Sequence, residues 1–273
     1  MSEPIVEFKV VECQETAKSP DAIVTLPILG AATELLLDCA ATGGVGVLSG
    51  PSGSGKSVCL KRLVARYPSL GLPGEAFYYC CQTSVGTTNG IKSLLADLGV
   101  GGAIVTHGRG APMPLILKIA LREFIKKNIQ CILFDETDRW NESAIAGVFA
   151  LHDYLKEVGH PISLVMVTNQ ENPAWLSDAD PIRSRTLRVI RTEHVPVDEM
   201  VGLMAVWADE FEIFAAKLDG GDRTADEIAR HIHDSTGGDL RRANFFVRIY
   251  LRHFAGKSVT MKLAEATLKR MDQ

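Results

Sequence analysis

The stretch "GPSGSGKS", residues 50–57, sets Gly50, Gly55, Lys56 and Ser57 in the order Gly-x-x-x-x-Gly-Lys-Ser, with Gly53 as a further flexible position. A loop that wraps a phosphate must turn its backbone N–H groups inward, and the positive φ angles this demands are cheap for glycine. Lys56 then brings a point charge to the outer phosphates, and the Ser57 hydroxyl can ligate Mg²⁺. Pro51, Ser52, Ser54 and Val58 complete the run along which a triphosphate would lie. A flexible glycine–serine loop gives similar letters, but a phosphate loop also needs a strand before it and a helix after it, whose N-terminus adds N–H donors. Both are readable. "GVGVLSG" (44–50) is a short apolar run, and "SVCLKRLVARY" (57–67) places Val58, Leu60, Leu63 and Val64 at helical spacing.

"CILFDETD" (131–138) closes four apolar residues with Asp135 and Glu136. A strand ending in paired acids at the C-terminal edge of a parallel sheet sets them where such sheets bind ligands. Asp135 would hold Mg²⁺ through water or Ser57, and Glu136 would polarise an attacking water as general base. A capped loop gives the same letters; the position some 80 residues after the phosphate loop, with another strand next, argues for the chemistry. That next strand, "ISLVMVTN", ends in Asn169, a short amide able to orient the water, or else a turn-former before "QENP". "DPIRSRTLRV" (180–189) presents Arg183 and Arg185, and "GGDLRRANFF" (237–246) presents Arg241 and Arg242. Taken alone, these arginines read equally as surface charges.

The elements that must position these residues alternate. A helix is expected over 25–41, strands over 44–50, 75–81, 131–136, 162–169 and 187–190, and helices over 57–67, 88–99, 115–128 and 142–159. The segment 99–114, with its glycines and prolines, is expected to be largely loop. Strands alternating with helices argue for a parallel sheet wrapped on both sides. From about residue 195 strand signals stop, and helical patterns at 197–216, 224–235, 239–255 and 260–271 suggest a small all-helical domain. The expected division is an arm at 1–22, an αβα core at 23–193 and a helical lid at 194–273. Trp140, Trp175 and Trp207 read as packing anchors rather than stacking platforms, and His231 and His233, two apart on a helix, share no ligand face.

The order of parts over residues 25–271 resembles the AAA+ ATPases. The resemblance implies a five-stranded parallel P-loop core with a helical lid, and ATP with Mg²⁺ as cofactors. It makes Asn169 the sensor-1 residue at the tip of the fourth strand. Arg185, with Arg183 second, would be the arginine finger that reaches a neighbour's nucleotide, and Arg241 the sensor-2 residue of the lid. A finger supplied in trans makes hydrolysis depend on assembly, and head-to-tail contacts of this kind build rings or open filaments. Within the family the chain looks most like the transposon-encoded ATPases of the TnsC, TniB and MuB kind, through "FDETDRW", "GHPISLVMVTNQ" and "GGDLRRANFFVRIYLRHFAGKSVT". It departs from them in reading Asp-Glu-Thr-Asp for the usual Asp-Glu-Ala-Asp, and Thr168-Asn169 for a Gly-Thr or Gly-Asn.

That branch implies ATP-dependent polymers on double-stranded DNA that mark a target and recruit a transposase or target-selector protein. Thr87, Thr88, Lys92, His107 and Arg109 are the candidate DNA contacts, mostly to phosphates, with an ordinary mobile surface loop as the alternative. A replication initiator or helicase loader of the same family is the competing reading, and a nucleotide-gated scaffold another; a base at Glu136 speaks against the scaffold.

Composition bounds these readings. A net charge of −4 excludes a globally basic nucleic-acid binder, yet from Arg241 onward eight Lys/Arg stand against two acids, Glu265 and Asp272. No run approaches the roughly 18 apolar residues of a membrane span, and the N-terminus shows no signal-peptide pattern. Six cysteines without C-x-x-C spacing fit a reduced cytoplasm. The vicinal Cys80–Cys81 pair reads as two buried strand residues, with redox activity as the alternative.

Overall fold

The computed structural model describes residues 27–82, 87–100, 112–171, 173–176 and 181–272. The chain divides into two compact units, Thr25–Val195 and Pro196–Gln273, with the arm at 1–22 outside the described residues.

In the first unit α1 (Pro27–Thr42) leads into β1 (Val45–Ser49), and α2 (Lys56–Arg66) follows the glycine loop. β2 (Glu75–Cys80), α3 (Thr87–Leu95), α4 (Met113–Lys126), β3 (Ile129–Asp135), α5 (Glu142–Glu157), β4 (Ser163–Thr168), α6 (Pro181–Arg185) and β5 (Thr186–Arg191) complete it. The five strands form one sheet in the order β2-β3-β4-β1-β5, and every pairing is parallel. β1 and β4 are buried along their whole length, as expected of strands covered by helices on both faces. The apolar side chains of β3 and β4 meet Ile145, Val148 and Leu151 of α5 and Ile116, Ala120 and Phe124 of α4 in the main core.

The expected elements are present with shifted ends. α4 starts two residues early because Pro114 sits in its first turn, where a missing N–H costs nothing. The helix expected over 88–99 gives way after Leu95 to a π-type turn at Ala96–Val100, where Gly99 takes a φ of 81°. Of the expected loop 99–114, residues 101–111 lie outside the described residues.

The second unit holds α7 (Val197–Trp207), α8 (Asp209–Asp219), α9 (Arg223–Thr236), α10 (Leu240–Phe254) and α11 (Met261–Met271). The single helix expected over 197–216 is therefore two. Ala208 breaks it with an extended backbone (φ −157°, ψ 138°), and three acids in the first turn of α8 favour a fresh helix N-terminus there. Asp222, Asp239 and Thr260 cap α9, α10 and α11 through their side-chain oxygens. Phe211, Phe246 and Tyr250 form the aromatic centre, with Phe211 edge-on to both others. Among the described residues no helix is long and apolar enough to cross a membrane.

Candidate nucleotide site

Because all strands are parallel, Ser49, Asp135 and Thr168 end β1, β3 and β4 on the same edge of the sheet, with β4 between the other two. Neighbouring strands stand about 4.8 Å apart, so the glycine loop and the paired acids lie roughly 10 Å from each other across the tip of β4. This is the edge at which open parallel sheets take ligands.

The loop after β1 is built around Lys56, whose side chain turns inward and is buried. Its ammonium donates to the carbonyls of Gly50 (2.8 Å) and Pro51 (2.6 Å) and to the Ser54 hydroxyl (3.2 Å). Gly53 and Gly55 take φ angles of 80° and 91°, the left-handed geometry the sequence pattern requires. α2 starts at Lys56 directly from the left-handed Gly55, so its first N–H groups open toward the loop. Ser57 is half-buried at this helix start, and Val58 faces outward.

A residue with no obvious signal in the sequence supports the loop from below. Thr192, just past β5, donates from its N–H (2.8 Å) and hydroxyl (3.1 Å) to the Ser49 carbonyl, and its hydroxyl lies 3.4 Å from that of Ser54. A Cβ on Gly50 would collide with the Thr192 side chain and carbonyl, so Gly50 is fixed by close approach as well as by its φ of 150°.

At the tip of β3, Asp135 is buried with both carboxylate oxygens engaged. Tyr78 on β2 donates its hydroxyl to Oδ2 at 2.8 Å, and the N–H of Glu136 donates to Oδ1 at 2.9 Å. Burial, then the hydrogen bond and charge of Asp135, push the Tyr78 phenol far above its ordinary range, so it remains a donor. Glu136 is not the last strand residue that the sequence suggested. It leaves the strand in the left-handed conformation (φ 56°, ψ 43°), uncommon for a residue with a side chain and a form of strain that gathers at functional sites. Its Oε2 accepts from Arg139 at 2.7 Å and from the Cys80 thiol at 3.4 Å. Burial, and after it Glu136, raise the Cys80 thiol above its usual range. Of the vicinal pair only Cys81 is fully buried; Cys80 is half-exposed because it sits at the site's rim.

Asn169 is exposed and is tied to the same motif. Its backbone N–H donates to Oδ1 of Asp138 at 3.1 Å and its amide nitrogen approaches the same oxygen at 3.5 Å. Thr137 donates to the Val167 carbonyl at 2.9 Å, so the "DETD" turn is pinned to β4 by its third and fourth residues. Beneath it, Tyr79, Phe134 and Trp140 pack ring against ring at 5.6–5.8 Å, and the Trp140 indole donates to the Gln82 carbonyl. Trp140 and Trp175 are buried packing residues, as expected.

Within the first unit, Arg183 and Arg185 fall elsewhere. Arg185 precedes β5, so it lies at the starting edge of the sheet, a strand length of roughly 20 Å from the edge that carries the loop. Its Nε donates to both oxygens of Asp153 on α5, at 2.9 and 3.1 Å. Arg183 is exposed on α6. Arg241 and Arg242 belong to the second unit, exposed in the first turn of α10. Thr87 and Thr88 open α3, which also carries Lys92, while His107 and Arg109 lie outside the described residues.

Hard oxygen donors, the Ser57 hydroxyl and the Asp135 carboxylate, suit Mg²⁺, which keeps several waters and leans on substrate phosphates rather than a full protein cage. No cluster of three or more His, Cys, Asp or Glu suited to a metal occurs among the described residues.

Solved structures with this fold include the ADP form of the ORC2 protein of Aeropyrum pernix, at 14% identity with a TM-score of 0.62, covering 93% of this chain and 69% of that one. Cdc6p of Pyrobaculum aerophilum matches at 19% identity and TM-score 0.60, over 89% of this chain and 62% of the other. The Aeropyrum pernix ORC1 protein in complex with DNA matches at 17% and 0.55, over 89% and 64%. The chain thus spans only about two thirds of these proteins. No curated protein matches it. The family model described as "AAA domain" matches residues 40–176, from the end of α1 through the glycine loop, the paired acids and Asn169, and the chain belongs to that family, the AAA+ ATPases.

Proposed function

We propose that this chain hydrolyses ATP to ADP and phosphate, and that hydrolysis is coupled to head-to-tail assembly on double-stranded DNA. The observation that carries the first part is the meeting of the Lys56 loop, the Asp135–Glu136 pair and Asn169 at one sheet edge. In this reading the N–H groups of residues 52–58 hold the phosphates, and Lys56 gives up a loop carbonyl to reach the outer ones. Ser57 and Asp135 hold Mg²⁺, which supplies charge neutralisation at the phosphate oxygens. Glu136, released from Arg139 and Cys80, takes the proton of a water that Asn169 orients.

Arg185 serves a neighbour's site. Its place on the far edge of the sheet supports action in trans, since it stands a strand length from its own loop. The Asp153 pair that it must leave is partly exposed on both sides, 37% and 44%, and pairs of that kind contribute about 0–1 kcal/mol. That pair by itself offers little resistance to turning the guanidinium toward a γ-phosphate.

The finer reading is a transposition regulator that coats target DNA and recruits a transposase or target-selector protein, supported by the motif resemblance. Thr87, Thr88, Lys92, His107 and Arg109 remain its proposed contacts within the core. A replication-initiator or helicase-loader role is the second reading, favoured by the fold likeness to archaeal ORC and Cdc6 proteins. Phosphate release measured with and without duplex DNA, across protein concentrations, tests the core proposal. Lys56→Ala should abolish it, and Glu136→Gln should trap ATP-bound assemblies. A rate indifferent to both DNA and concentration would refute coupling to assembly. Footprinting the Glu136→Gln assemblies separates the two roles: continuous coverage of arbitrary duplex favours the transposition reading, and protection of one discrete site the initiator reading.

A further inference from the structure

The second unit is divided by charge. From α7 through α9, residues 197–236, ten acids stand against three Lys/Arg, whereas from α10 to the chain end eight Lys/Arg stand against two acids. α10 itself, "LRRANFFVRIYLRHF", has four arginines and no acid in fifteen residues. Its buried face is Ala243, Phe246, Val247 and Tyr250. Arg241, Phe245, Arg248 and Arg252 recur at steps of four, three and four, which at about 100° per residue places all four within roughly 60° of one another. All four are exposed, and Phe245 keeps 47% of its surface open, which is unusual for a phenylalanine. The stripe runs about 16 Å along the helix. An arginine-only line beside an exposed ring is a surface built for phosphates: guanidinium forks match phosphate oxygens, and the ring can lie against the sugars between them. α11 continues the same sign with exposed Lys262, Lys269 and Arg270.

We infer that the Arg241–Phe245–Arg248–Arg252 stripe of α10 docks on the phosphate backbone of double-stranded DNA. This rests on the DNA-coupled reading above and adds to it a contact surface outside the core, where the sequence had shown only an excess of Lys/Arg from Arg241 onward. The acidic balance of the whole chain does not oppose it, because the charge that a polyanion meets is local and the acids gather on the other three helices.

Fluorescence anisotropy of a labelled 40-base-pair duplex, titrated with the full chain plus ATP and Mg²⁺ over a range of NaCl concentrations, tests this. Each phosphate contact contributes about 0.9 to the slope of log affinity against log salt. Arg248→Gln/Arg252→Gln should therefore flatten that slope by roughly 2 and weaken binding about 60-fold at 0.1 M salt, taking 1 M as the point where counterion release contributes nothing. DNA-independent ATP hydrolysis and the melting temperature should not move, and Arg248→Lys/Arg252→Lys should restore the slope. If the double variant fails to fold, Arg252→Gln alone should still flatten the slope by about 1. A double variant that binds duplex with the wild-type slope overturns the stripe and leaves DNA coupling standing. Wild-type protein with no duplex affinity, or with affinity for single strands only, overturns both. Variants that lose self-assembly but keep the DNA slope assign the stripe to an interface between copies, and refute the inference.

Discussion

Tyr78→Phe removes one oxygen atom and tests whether the acid at the tip of β3 is held from β2. The hydroxyl donates to Asp135 Oδ2 at 2.8 Å, and the other carboxylate oxygen is held only by the Glu136 N–H. A hydrogen bond to an ionised group contributes about 1.5–3 kcal/mol. Tyr78 is only half-buried, so water can partly replace the hydroxyl, and the lower end, about 1.5 kcal/mol, is the expected loss. For a unit of this size that corresponds to a fall in melting temperature of about 3–6 °C. The ring stays, so packing and the Lys61 ammonium 5.5 Å above it are retained.

A second effect separates positioning from stability. Partners that orient a metal ligand typically contribute 10- to 100-fold in metal affinity. A carboxylate acting partly through water should sit at the low end, so the Mg²⁺ concentration that half-saturates binding of a fluorescent ATP analogue should rise about 10-fold. Differential scanning fluorimetry and that titration are the two assays. Tyr67→Phe is the control, because its hydroxyl meets only the Pro73 carbonyl at 3.3 Å, and it should leave the Mg²⁺ requirement alone. If Tyr78→Phe melts within 1 °C of wild type and needs no more Mg²⁺, the main chain alone orients Asp135 and the argument from β2 fails.

Gly50→Ala should weaken nucleotide binding more than 10-fold and cost about 1–3 kcal/mol in chemical denaturation, since a Cβ there meets the Thr192 carbonyl; wild-type affinity would show that the loop shifts freely. Asp138→Ala should lower the maximal rate of ATP hydrolysis by about 10- to 100-fold with ATP affinity unchanged, because Asn169 loses its tether while the loop keeps its own contacts; an equal loss in affinity would contradict this. Alkali should destabilise the fold: burial raises the Cys39 and Cys59 thiols from 9.0 to about 12, so the unfolded chain loses protons that the folded one keeps as pH climbs from 9 toward 12. At pH 10 each of the two should subtract about 1.4 kcal/mol relative to pH 8 in urea unfolding, and stability that is flat over that range would show the thiols to be accessible. Peptide mapping should find Cys80 slow to alkylate at pH 8 and faster in Glu136→Gln, which removes a charge that holds the thiol protonated; equal rates would place the carboxylate elsewhere.

The parts of the site legible in the sequence are those whose chemistry is carried by neighbours along the chain. Gly50, Gly53, Gly55 and Lys56 form a loop within eight residues, and the structure closes it through Lys56 onto Gly50 and Pro51. Asp135 and Glu136 are adjacent, and the apolar run before them fixes a buried strand. What the sequence did not disclose is contributed across strands. Thr192 acts on Ser49 from 143 positions away, and Tyr78 on Asp135 from 57. Tyr78 sits inside β2 and Thr192 just past β5 with nothing in its letter to mark it, and only the order β2-β3-β4-β1-β5 turns them into partners of the site. Period-2 patterning yields the strands but carries no strand order, so such pairs are invisible to it.

The same logic explains the misread end of β3. An apolar run followed by two acids suggested a strand through Glu136, because hydropathy alone cannot tell a strand's last residue from the first residue of a turn. The register resolves it: Cys80 pairs with Asp135, the last pair of the β2–β3 ladder, and the next residue swings into the left-handed region. That swing separates two adjacent carboxylates into different surroundings. Asp135 stays buried between Tyr78 and the main chain, while Glu136 turns out to Arg139 with 23% of its side chain exposed. A continued strand would also send the two side chains to opposite faces of the sheet, but it would leave Glu136 in the ladder, unable to turn toward a ligand at the edge. The left-handed step, costing of order 1–3 kcal/mol, is what gives neighbouring acids separate surroundings, one held at both oxygens and one turned out to Arg139.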